Sequence, residues 1–145
     1  MDVSRLLAEE DEAWAELCEL IAAVPSDGFE EPRVGPDGWS ARDIVFHIGA
    51  WAADCANQLE MMRMGTFRER HDTTQDIERM NREWFELSRT VDPGTARAEL
   101  VSGRTRMRQQ WALLPEATAV AWEWFEESGT LHYRKHMEDL RACAT

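Results

Sequence analysis

The chain has 145 residues, close to the commonest size of a single domain and long enough to bury a hydrophobic core. Its composition, 43% hydrophobic and 30% charged without repeats or low-complexity tracts, argues against disorder and predicts one domain over 1–145. The formal charge of -12 repels nucleic-acid phosphates and anionic lipid headgroups, so neither nucleic acid nor membrane is an expected partner.

Val3, Leu7, Trp14, Leu17, Ile21 and Val24 recur at helical spacing with acidic residues between them, predicting an amphipathic helix from about 3 to 24 that Pro25 ends. Cys18 is expected in or near the core with Cys55. FEEPRVGPDG, rich in proline and glycine, predicts an ordered loop. Ser40, with Asp43 three residues on, resembles a capping box opening a second helix. Ile44, Ile48, Trp51, Cys55, Leu59 and Met62 form its stripe, and His47 lies within that stripe and points inward. MGTFRERHDTT breaks the pattern and leaves His71 in a solvated loop. Thr73 or Thr74 caps a short helix with Ile77, Met80, Trp84 and Leu87. Asp92 and Pro93 start the next, whose apolar face of Ala96, Leu100, Met107, Trp111 and Leu114 runs as far as Pro115. The last helix is expected from about Trp124 to Ala142, with Phe125, Gly129, His132, His136 and Leu140 on one stripe. Apart from the short TAVAWEWF no segment alternates like a strand. The fold class is therefore all-α, a bundle of four long helices with a short extra helix between the second and third.

No apolar run approaches the ~20 residues a membrane helix needs, and the opening residues lack a basic segment followed by an apolar one, so a cytoplasmic protein is expected. Three cysteines without CxxC spacing suit free thiols in a reducing compartment. The surplus of tryptophans would allow a homodimer formed through a helix face.

His132 and His136 carry the main chemical signal. Residues four apart on a helix stand ~6 Å apart along the axis and ~40° apart in angle, so both imidazoles can aim at one point. Packing the second helix against the last would add His47. Three neutral imidazoles suit a divalent transition metal and leave positions open to water or substrate. The competing reading has His132 and His136 partly exposed and His47 a hydrogen-bonded core residue, and spacing alone does not separate the two.

GWSARDIVFHIGAW resembles the segment opening the second helix of the DinB/YfiT-like superfamily, and LHYRKHMEDLRA resembles its C-terminal helix, with HxxxH and a downstream Asp-Leu. MNREWFELSRTVDPGTARAELVSGRTRMRQQWALLP is similar to the middle region of the DfsB-like branch. The resemblance covers nearly the whole chain. It implies a four-helix bundle with His47, His132 and His136 as metal ligands, zinc or nickel as the ion, and a low-molecular-weight thiol or other small molecule as partner. It further implies thiol-dependent transferase or hydrolase chemistry on a small electrophile, with non-catalytic sequestration as the alternative. Relatives of the mycothiol-dependent isomerase type carry Glu at the position matching His132, so maleylpyruvate isomerisation is not expected. Trp51, Asn81 and Trp84 are candidate pocket residues, with an open mouth lined by aromatics of the second, short third and last helices. Asp54, Asn81 and Glu83 can reach the pocket, but each reads first as a surface polar residue, and no general base is evident.

Overall fold

The computed structural model describes residues 2–145, which form an all-α bundle. Six helices follow in order: α1 Val3–Ala22, α2 Ala41–Met64, α3 Thr74–Ser88, α4 Pro93–Leu113, α5 Ala119–Ser128 and α6 Thr130–Cys143. Their starts follow from local hydrogen bonding. Ser40 and Asp43 form a reciprocal capping box on α2, and Thr73 and Asp76 form another on α3. Asp92 accepts from the Thr95 amide, with Pro93 in the first turn of α4. The segment between α1 and α2 is a loop with a single turn of 3-10 helix at Ser26–Gly28 and one bridge between Val34 and Trp39.

Two expectations need correction. The last long helix is broken: Gly129 takes φ -101 and ψ -109, outside the helical region, and divides one apolar stripe between α5 and α6. The alternating TAVAWEWF lies mostly inside α5 and forms no strand. Cys18 is exposed, because it falls one position, about 100° of rotation, beyond Leu17 on the buried face of α1. Cys55 is buried.

The closest packing joins α2 to α4. A Cβ on Gly103 would stand 2.5 Å from the Gly49 carbonyl oxygen, and one on Gly49 would stand 2.8 Å from the Leu100 Cα. Backbone thus meets backbone at this crossing, which two glycines permit. Glu10 on α1 is fully buried, taking Arg104 at 2.6 Å, Arg108 at 2.7 Å and the Tyr133 hydroxyl at 2.8 Å. One carboxylate therefore ties α1, α4 and α6 together and satisfies its charge internally. Tyr133 adjoins His132, so this tie also fixes the rotation of α6.

Candidate metal centre

Two helices bring the three histidines together. His47 comes from the second turn of α2, six residues after the first helical position, while His132 and His136 come from successive turns of α6. His132 Nε2 lies 3.1 Å from His47 Nε2 and 3.1 Å from His136 Nε2. The ring centroids form a near-equilateral triangle with sides of 4.9, 4.9 and 4.8 Å. His47 is 6% exposed and His132 9%, and the Trp39 ring packs at 87° to His47 with centroids 5.3 Å apart.

Electrostatics keep the rings neutral. Burial, then the charges of His136 and Lys135, push His47 down to about 3. Burial likewise holds His132 well below its ordinary value, helped by His47, His136 and Lys135. Burial also lowers His136, although Asp139 opposes the shift by pairing with its Nδ1 at 3.2 Å.

Mutual hydrogen bonding does not account for this arrangement. A neutral ring nitrogen either donates one proton or accepts with one lone pair, so His132 Nε2 cannot serve both neighbours at once. The Nδ1 atoms of His47 and His132 are buried and have no partner among the protein atoms. A shared cation suits the cluster better. With bonds of ~2.05 Å, imidazole nitrogens on one ion stand roughly 2.9 Å apart in octahedral and 3.3 Å apart in tetrahedral geometry, and the two separations of 3.1 Å fall between. All three donor atoms lie within 4.8 Å of one another. The donor set thus fits a divalent transition ion, and the Asp139 contact to His136 resembles the carboxylate support that metal-bound imidazoles commonly receive.

A cavity of about 380 Å³ opens beside the cluster and includes His47 and His132 in its wall. Trp51 and Asn81 line it, joined by a 2.8 Å hydrogen bond from the indole to the amide oxygen. Trp84 does not reach it. That ring packs edge-on behind Trp51 at 5.0 Å and faces a separate groove with Phe46 and Leu87. The aromatic walls come from α2 and α5, as Trp51 and Trp124, and α3 contributes Ile77 and Asn81. His71 and Glu83 are exposed.

Trp124 suits a pocket wall as well as a core position, but several other wall residues escape sequence reasoning. Arg70, from the loop after α2, pairs with both oxygens of Asp54 at 3.1 and 2.7 Å and with Asp72 at 2.7 Å, and lies 5.2 Å from the Trp124 ring centroid. It pins the loop against α2 and α5. Val120, Glu123, Trp124, Glu127 and Ser128 line the cavity from α5 at spacings of three and four. That periodicity is visible in the sequence once 119–128 is taken as a helix of its own.

Residues 11–138 match the family described as the mycothiol maleylpyruvate isomerase N-terminal domain. No curated protein and no solved structure matches the chain. The match covers most of the sequence and agrees with the all-helical bundle, fixing the DinB-like domain without assigning the DfsB-like branch within it. The chain therefore belongs to the mycothiol maleylpyruvate isomerase N-terminal domain family, a family of DinB-like helical domains.

Proposed function

We propose that the protein is a metal-dependent enzyme in which His47, His132 and His136 hold one divalent transition ion, zinc or nickel, and a low-molecular-weight thiol is used to transfer or hydrolyse a small electrophile. The convergence of three neutral imidazole nitrogens beside an open cavity carries this reading. The family description, which names mycothiol, supports a thiol as co-substrate. An ion held there supplies a positive charge that raises the anionic fraction of a thiol or water at neutral pH.

The chain's own residues have separable tasks. Burial keeps the imidazoles unprotonated and available as donors. Asp139 orients His136 by accepting from Nδ1, which leaves Nε2 for the ion. Trp51, fixed by Asn81, and Trp124, held beneath Arg70, form apolar walls that take up the body of a substrate and displace water.

Sequestration without turnover is favoured by one observation: among the described residues, Asp139 is the one carboxylate hydrogen-bonded to the cluster, and it is occupied in orienting His136. The two readings separate in one experiment. Protein purified without a histidine tag is loaded with zinc or nickel and mixed with a thiol and a panel of small electrophiles. Thiol-dependent consumption that disappears in His47→Ala supports the enzyme. Consumption unchanged by that substitution refutes it, and thiol binding without turnover across the panel supports sequestration.

A further inference from the structure

The cavity beside the histidines is charged unevenly. Its wall carries four carboxylates, Glu69, Asp72, Glu123 and Glu127, against two cations, Arg70 and Lys135. Arg70 is already committed to Asp54 and Asp72. Lys135 belongs to the histidine end, since it stands on α6 between His132 and His136. Glu123 and Glu127 line the cavity from α5, before the break at Gly129, whereas His132 and His136 lie beyond that break on α6.

Glu123 and Glu127 sit one turn apart on α5, and among the described residues no cation pairs with either. Partial burial raises the Glu127 carboxyl, and the charges of Glu123 and Glu126 raise it further, as expected of acids crowded together without a counter-ion. The wall next to them already accepts a cation: the Arg70 guanidinium lies over the Trp124 ring. Acidic groups, an aromatic face and a donor cluster thus border one volume, sufficient for a ligand longer than a water or a simple anion.

We propose that this cavity selects ligands with a metal-binding donor at one end and a cationic group, such as an ammonium, at the other. The donor faces the histidines and Lys135, the cation lodges against Glu123 and Glu127, and the apolar body lies between Trp51 and Trp124. Ligands with a distal carboxylate are rejected. This rests on the metal-centre reading above and adds to it the class of thiol or substrate the site takes.

The test uses the full chain loaded with cobalt, whose thiolate absorption reports binding. Three thiols of equal length differ only in their far end: 6-aminohexane-1-thiol, 6-hydroxyhexane-1-thiol and 6-mercaptohexanoate. Affinity should fall in that order, by roughly tenfold from first to last at low ionic strength and by less in high salt, as expected for partly solvated charges. Glu123→Gln combined with Glu127→Gln should compress the range to within about threefold. Glu12→Gln combined with Glu19→Gln removes the same charge from exposed positions on α1 and should leave the range intact. Equal affinities in the wild type overturn the inference, as does an equal loss of preference in both double variants, which would trace it to overall charge. Failure to take up cobalt refutes the metal centre and the inference with it. Cobalt uptake with thiol binding indifferent to charge refutes the inference alone.

Discussion

Replacing Gly103 by Ala tests whether the contact between α2 and α4 is as close as the structure has it. On propensity alone the change should stabilise, since alanine in a helix interior is better than glycine by about 1 kcal/mol. The new methyl, however, would stand 2.5 Å from the Gly49 carbonyl oxygen, 3.3 Å from the Ala53 nitrogen and 3.4 Å from the Ala52 Cβ. The first neighbour is backbone inside a helix and cannot swing away, so the two helices must separate by several tenths of an ångström. Overpacking of this kind costs typically 1–3 kcal/mol and more when the obstacle is rigid. Set against the propensity gain, a net loss of about 2 kcal/mol is expected, or a fall in Tm of about 6 °C for a chain of this size. Urea unfolding followed by circular dichroism measures it. Gly28→Ala is the control, because a Cβ there meets no heavy atom within 4 Å. Because Gly49 lies two residues from His47, the same change should also weaken metal binding. A Gly103→Ala protein as stable as the parent, or more so, would refute the close crossing.

Glu10→Ala leaves the buried Tyr133 hydroxyl without its acceptor and Arg104 and Arg108 with the Asp11 carboxylate alone, and should cost about 3 kcal/mol, whereas Tyr133→Phe should cost only about 1–2 kcal/mol; thermal unfolding compares them. Metal-free protein should weaken in acid. His47 stays neutral in the fold down to about 3 but takes its proton near ~6.5 when unfolded, so this contribution is complete above ~6.5 and is lost as the pH falls from there toward 3, by about 1.4 kcal/mol per unit. A urea midpoint equal at pH 7 and pH 5, or a His47→Gln variant with an undiminished pH slope, would contradict it. His136→Ala should lower metal affinity by orders of magnitude while helical circular dichroism persists, because the bundle's buried apolar residues carry the fold. Asp139→Asn should weaken binding by roughly 10–100-fold, measured by competition with a chelator; unchanged affinity would remove Asp139 from the centre.

Features set by near neighbours were legible in the sequence. Ser40 with Asp43, and Asp92 with Pro93, announce helix starts through contacts three residues long, and each does so in the structure. His132 and His136 announce a shared direction in the same way. Features set by distant partners were not. Glu10 reads as a surface acid, because the Arg104 and Arg108 that neutralise it lie more than ninety residues away. The break at Gly129 is silent in periodicity: Phe125, Gly129, His132 and Leu140 keep helical spacing across it, and only the backbone dihedrals show the interruption. The cavity was legible only in part. Trp51 and Asn81 lie on its wall, but Arg70 reaches it from a loop without periodicity, and Glu123 and Glu127 belong to a helix that the alternating TAVAWEWF disguises. Trp84 has the right spacing on α3 yet turns toward Trp51 rather than the open volume.

The central proposal is one ion on three histidines, and X-ray absorption of untagged protein loaded with zinc or nickel, with elemental analysis of the same sample, tests it most directly. One ion per chain is expected, with three imidazole nitrogens at ~2.0–2.2 Å and the remaining ligands light atoms from solvent. Less than a stoichiometric ion, a sulfur ligand from a cysteine, or an unaltered spectrum in His47→Ala would contradict it.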